Sequence, residues 1–260
     1  MIFEVGCRIR YEAWEPTTFV FAVQVIDGAA QTLLEEDIRL PTGLAADFLL
    51  DAGGNRFIRL AAPTGAMELA YRARLRGEAR VPPDAPNGQT SIHSLPPSVL
   101  PYLTPSRYCP SDQLGAEAEA LFGRFADDVD KARALEAWLH ETLTYETAAS
   151  DGSTTALDTL RARAGVCRDF AHLGVAMARA LSLPARFVSC YAPGLRPPDF
   201  HAVFEVYCGQ AWRMFDATRR ARLADIAPIA IGRDAADTPF AIAFGPADLV
   251  ECVVFADRAP

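Results

Sequence analysis

One run of this chain, Cys167 to Leu181, is apolar nearly all round at helical spacing, and Leu183-Pro184-Ala185-Arg186 ends it. A helix with no polar face has no side to offer to water, so it belongs in the middle of a domain, covered on every face. Alternating apolar runs follow at Arg186 to Tyr191, His201 to Tyr207, Trp212 to Phe215 and Leu249 to Phe255. Alternation with period two predicts strands. Three helices are expected ahead of the buried one: Ser111 and Asp112 cap a run through Phe125, Asp130 opens a run to Leu143 with Leu135, Trp138 and Leu139 as its stripe, and Thr155 to Arg163 forms a short third. Helices followed by consecutive strands indicate an α+β domain with antiparallel strands, not the alternating βαβ of a doubly wound sheet.

The buried helix begins with a thiol. In Ala164-Gly165-Val166-Cys167-Arg168-Asp169-Phe170-Ala171-His172-Leu173, Cys167 stands where the first backbone N–H groups lack internal partners and carry partial positive charge. Both effects favour a thiolate over a thiol. His201 opens one strand and Asp216 closes another, so thiolate, imidazole and carboxylate meet at one end of a sheet. That is the nucleophile, base and orienting group of acyl transfer in the order Cys, His, Asp. The chain has four histidines, and the other three fit the base less well. His93 lies in a Pro-rich stretch, His140 on the outer part of a helix, and His172 about 140° round the helix from Cys167. Glu205, four residues along the His201 strand, points to the same face but sits about 13 Å away. Asp199 and Asp225 also compete for the orienting role, and Asp216 at the end of a neighbouring strand fits it better.

Other residues carry two readings each. The Cys167 N–H supplies one oxyanion donor, and Tyr108 of Ser106-Arg107-Tyr108-Cys109 is the candidate second donor unless it only packs the connection. Asp169 either lines the cleft or caps the helix, and Asp234 either lines it or holds a turn. Gly165 is expected where the turn into the helix needs unusual backbone or close approach.

The segments GVCRDFAHL, HAVFEVY and WRMFDATRR resemble the core of the bacterial transglutaminase-like family, proteins often labelled cysteine proteases. So do Tyr102 to Tyr108, Tyr145 with Ser153-Thr154-Thr155-Ala156, Leu183 to Arg186 and Gly232 to Asp237. The N-terminal part is similar to the β-sandwich that precedes that core, with Asp51-Ala52-Gly53-Gly54-Asn55-Arg56 as its turn. The resemblance implies a transglutaminase-like (papain-like) α+β core with the nucleophile at a buried helix N-terminus. Two positions depart from the family pattern: Val203 stands for the Trp after His-Ala, and Ala217 for the Pro after the Asp. The first is expected to reshape the pocket.

Half of the 260 residues are hydrophobic and 22% are charged, enough for a substantial core. Short alternating runs at Phe19 to Val25, Phe57 to Leu60 and Met67 to Ala73 predict a β-sandwich over residues 1–80. Residues 81–110, dense in Pro and carrying Pro82-Pro83 and Pro96-Pro97, read as a connection, and 111–260 as the catalytic core. A net charge of −8 excludes a nucleic-acid partner, since phosphate binding needs a basic face. Arg219, Arg220 and Arg222 read as a solvated loop. The N-terminus reads as a strand, not a signal peptide, and no run reaches the ~18 apolar residues of a membrane helix. Cytoplasmic location follows, which suits six cysteines without CxxC or regular spacing. No cofactor or metal is expected; Cys167, His172 and His201 lack ligand spacing.

These readings converge on a thiol-dependent enzyme that hydrolyses a peptide or small amide through an acyl-enzyme. A protein-glutamine transamidase with an amine acceptor uses the same groups, and a non-catalytic binding module is the alternative of a different class.

Overall fold

The computed structural model describes residues 1–28, 31–77 and 88–259. The described regular elements of residues 1–77 are all strands: β1 (Ile2–Ala13), β2 (Thr17–Phe21), β3 (Gln31–Arg39), β4 (Ala46–Leu50), β5 (Arg56–Ala62) and β6 (Gly65–Gly77). The core follows with α1 (Gly115–Phe122), α2 (Asp128–Thr142), β7 (Thr144–Tyr145), α3 (Ala156–Ala162), β8 (Ala164–Gly165) and α4 (Cys167–Ala180). It continues through β9 (Ala185–Tyr191), β10 (Phe200–Cys208), β11 (Ala211–Phe215) and β12 (Ala227–Gly232), and the chain ends in β13 (Ala241–Phe244) and β14 (Ala247–Arg258). The fold is α+β, with antiparallel sheets ahead of a helical and sheet core.

Both ends of the chain build the first unit. One sheet runs β14-β1-β6-β3 and the other β13-β2-β5-β4. They share an apolar core in which Phe3, Val5, Ile9, Phe19, Phe21 and Leu69 are buried. The run at Leu249 to Phe255, expected beside the catalytic strands, instead pairs with β1 from Phe3↔Arg258 to Ala13↔Ala247. Residues 241–258 therefore lie with the N-terminal sheets rather than in the core to which 111–260 was assigned. An alternating strand carries no mark of which sheet it joins, and β1 offers a free edge of matching length. Residues 81–87 of the expected connection, Pro82-Pro83 included, lie outside the described residues.

In the core, sheet β11-β10-β9-β12 packs on α4. Every residue from Asp169 to Arg179 is buried, which is why this helix tolerates no polar stripe. Its end is built by Ser182 at φ +61°, whose N–H donates to Arg179 O at 2.9 Å while Leu183 N–H donates to Ala178 O at 3.0 Å. Pro184 then bars another turn. Gly174 lets the helix approach the sheet, since a Cβ there would lie 2.8 Å from the Phe204 ring. α1 starts at Gly115, after a 3₁₀ turn at Ser111–Gln113, and α2 starts at Asp128, because the Asp127 carboxylate caps the Val129 and Asp130 N–H groups.

The two units are latched by the Asp51–Arg56 turn. Asn55 is buried and makes a reciprocal pair with β12: its Nδ2 donates to Ile231 O at 2.9 Å and Ile231 N–H donates to its Oδ1 at 2.8 Å. The Tyr191 hydroxyl donates to Val23 O at 2.7 Å across the same junction.

Candidate active site

Cys167 is the first residue of α4, half-buried at the mouth of a cleft. The chain enters the helix through a two-residue parallel bridge in which Tyr145 faces Gly165. Asp169 then closes the first turn: its Oδ2 accepts the Val166 N–H at 2.8 Å. That closure crowds Gly165, where a Cβ would lie 2.7 Å from the Asp169 Cβ and Oδ2. Close approach, not a left-handed backbone, is why glycine stands there.

β10 and β11 are neighbours, and the chain leaves β11 at the residue beside His201. His201 Nε2 donates to Asp216 Oδ2 at 3.0 Å, both groups almost wholly buried. The carboxylate is held by three more donors: Thr218 N–H at 3.0 Å and Thr218 Oγ1 at 2.6 Å on Oδ1, and Ala221 N–H at 3.1 Å on Oδ2. Burial opposes the Asp216 charge, but His201, Thr218 and Ala221 outweigh it and hold the carboxyl below its usual range. Burial also opposes charge on His201, yet Asp216 and Cys167 push the imidazole from 6.5 up to about 10. With Nε2 committed to Asp216, the buried Nδ1 has no fixed hydrogen-bond partner and is the nitrogen available to the thiol.

The secondary candidates fall elsewhere. Tyr108 lines the cleft, but its hydroxyl donates to Gly152 O at 3.0 Å and its ring stacks on His172 with centroids 5.0 Å apart. Its proton therefore has a partner other than an oxyanion. Asp169 is the helix cap. Asp234 is buried in a turn, where it accepts the Tyr108 N–H at 2.8 Å and the Ala236 N–H at 2.9 Å. His172 accepts the Ala235 N–H on Nε2 at 3.1 Å, and burial beside Arg168 and Arg179 pushes its pKa well below 6.5, so the ring is neutral. Val203 is buried with Val188, Cys190, Met214 and Ile226 and does not itself line the cleft.

Tyr145 is the residue that sequence reasoning gave no role. Its phenol lies against Cys167, in reach of both the backbone N–H and the thiol. Burial, then the neighbouring Cys167, push its pKa up to about 12, so it carries its proton at neutral pH. A two-residue bridge leaves no periodic trace in a sequence, so Tyr145 stands out only as part of the family resemblance, without a role.

The cleft has a volume of about 540 Å³. Cys167, His201, Arg168, Phe187 and Ser189 form its core side, while Ala22, Ala241, Leu249 and Cys252 of the two-sheet unit form the opposite wall. Among the described residues no group of three or more His, Cys, Asp or Glu is placed to hold a metal ion, and no helix is long and apolar enough to cross a membrane.

Residues 118–217 match the profile of the transglutaminase-like superfamily. The crystal structure of a putative cysteine protease from Cytophaga hutchinsonii is 36% identical and superposes with a TM-score of 0.92, covering 100% of this chain and 91% of that one. The chain belongs to the transglutaminase-like superfamily. An uncharacterized protein of Mycobacterium leprae is 27% identical over 147 residues, which is 52% of this chain and 51% of the relative. An uncharacterized protein of Mycobacterium tuberculosis is 34% identical over 84 residues, 32% of this chain and 27% of the relative. The matches thus span about half or less of the curated relatives' length.

Proposed function

We propose that this protein is a thiol-dependent acyl-transfer enzyme that hydrolyses an amide or peptide bond. The observation that carries the reading is the line Asp216–His201–Cys167, with the thiol on the first turn of a buried helix. Cys167 attacks the carbonyl carbon, and the imidazolium of His201 gives its proton from Nδ1 to the leaving amine. Water then adds to the thioester with His201 as base, the acid leaves, and the thiolate returns. Asp216 keeps Nε2 protonated and stabilises the positive ring throughout. The tetrahedral oxyanion takes the Cys167 N–H and the Tyr145 hydroxyl, the two donors that already face each other at the sulfur. The description of the Cytophaga relative as a putative cysteine protease supports the same reading. The cleft is lined mainly by apolar groups, among them Phe187, Phe200, Phe240 and Leu249, and suits an apolar side chain beside the reacting bond.

A panel of peptide anilides offered together with a fluorescent primary amine tests this. The free acid is the expected product, and Tyr145→Phe lowers kcat about a hundredfold, the cost of one oxyanion donor. If the fluorescent amide is the main product, the enzyme is a transamidase. Absence of both turnover and acyl-enzyme across the panel contradicts the thiol reading.

A further inference from the structure

The chain is acidic overall, with a net charge of −8, yet one concavity beside the catalytic line is basic. It has a volume of about 410 Å³ and is lined by Arg196, Arg219, Arg220, Arg222 and Arg258. All five are exposed. Two aspartates, Asp225 and Asp257, share the lining. Asp225 is already engaged by Arg258 and lies 3.8 Å from Arg222, and Arg219 pairs with Glu136 at 3.2 Å. Arg196 and Arg220 make their hydrogen bonds to backbone carbonyls instead: Leu195 O at 2.9 Å and Arg196 O at 2.6 Å. These bonds use one donor of each guanidinium and leave its charge unneutralised. An adjoining hollow shares Arg219 and Ala221, adds Arg133 and Arg213, and reaches Asp216.

One of the groove's arginines, Arg220, reaches toward the thiol through Tyr145. The Arg220 guanidinium lies 4.2 Å over the Tyr145 ring, and Tyr145 rests on Cys167. The apolar cleft also opens at Cys167. A substrate bound across the sulfur therefore meets apolar walls in the cleft and guanidinium groups in the groove.

We propose that the groove binds the carboxylates of an acidic peptide, so that the amide attacked by Cys167 is followed or preceded by Asp or Glu residues. This rests on the acyl-transfer reading for its substrate, though not for its binding. Three physical arguments favour carboxylates. The planar guanidinium fork matches a carboxylate with two parallel hydrogen bonds. Asp225 already accepts a guanidinium hydrogen bond from Arg258 within the groove. A ligand that must present both an amide and several anions is most simply a peptide with acidic side chains. The charges are exposed, so ordinary salt, with a screening length of about 8 Å, weakens the attraction and makes it easy to recognise.

The test is fluorescence anisotropy of fluorescein-labelled hexaglutamate and hexaglutamine on the full chain carrying Cys167→Ala, so that binding needs no chemistry. Hexaglutamate is expected to bind at least about tenfold more tightly than hexaglutamine, and raising the salt erodes the difference. Arg196→Gln with Arg222→Gln, both exposed and outside the catalytic line, is expected to weaken hexaglutamate about tenfold without changing the melting temperature. Equal binding of the two peptides overturns the proposal, as does a double variant that binds hexaglutamate unchanged. Should tripolyphosphate bind the groove while hexaglutamate does not, the site is for phosphates and the carboxylate assignment fails. An inert thiol in alkylation sinks the acyl-transfer reading alone, because the anisotropy result stands without it.

Discussion

An Asp216→Asn variant loses about three to four orders of magnitude in kcat while substrate affinity stays nearly the same. The carboxylate lies on the far side of the imidazole from the thiol and touches no substrate, so the loss arises entirely through His201. In the intact site burial disfavours the charged ring, and Asp216 more than offsets it, holding the imidazole at about 10. Asparagine removes that offset and leaves the burial, so the ring's pKa falls and the thiolate–imidazolium pair gives way to thiol and neutral imidazole. The pH dependence has a definite sign. His201 is raised, so its stabilising contribution is complete below its ordinary 6.5 and is lost as pH rises toward about 10. Asp216 is lowered, so its contribution is present above its ordinary carboxylate range and is lost as pH falls through the depressed value. The pair therefore spans neutral pH in the native protein and not in the variant. Steady-state kinetics over pH measure this: a variant with native kcat and an unchanged profile removes Asp216 from the account.

Arg179→Met destabilises the fold by about 3–5 kcal/mol, although the side chain touches neither cleft nor thiol. Arg179 is 4% exposed near the end of α4 and distributes its donors to three separate segments. Nε and Nη2 donate to Ala185 O at 2.9 and 2.8 Å, Nη1 to Thr104 O and Ser106 Oγ at 3.0 Å each, and Nη2 also to Arg233 O at 2.7 Å. Methionine fills the volume but leaves these acceptors buried without donors, and each costs about 1–3 kcal/mol when unpaired. The same change loosens the 104–108 segment that carries Tyr108 and the 233–235 turn against His172. Thermal unfolding is expected to show a fall of roughly 10 °C, with Arg179→Lys recovering only part because an ammonium lacks the planar fork. A Met variant as stable as the native chain contradicts this role.

How far the sequence could be read depended on whether a feature was local. The buried helix was legible because Phe170 to Ala178 leaves no polar stripe, and its stop was legible in Pro184. His201 and Asp216 were legible as strand ends because alternation shows where each strand begins or closes. β14 was legible as a strand but not in its pairing, because both possible neighbours accept the same alternation. β12 was hidden by Pro228, a residue that usually argues against a strand; here it sits at a register shift against β9. Asp169 and Asp234 carried two readings until their backbone partners were visible, since a carboxylate aimed at an N–H and one aimed at a cleft look alike in sequence. Tyr145 and the arginine groove arise from contacts between distant segments, such as Arg220 over Tyr145 and Arg258 beside Asp225.

The central claim is that Cys167 and His201 form an activated pair, and the pH dependence of carboxymethylation tests it most directly, with the modified cysteine located by peptide mass mapping. The account predicts that Cys167 reacts at neutral pH ahead of the buried Cys7 and Cys109, whose thiols burial pushes up to about 12 and above. His201→Ala should slow that reaction at neutral pH. If Cys167 reacts no faster than the buried thiols, or if the profile is indifferent to His201, the site is not a nucleophile and the acyl-transfer function is refuted.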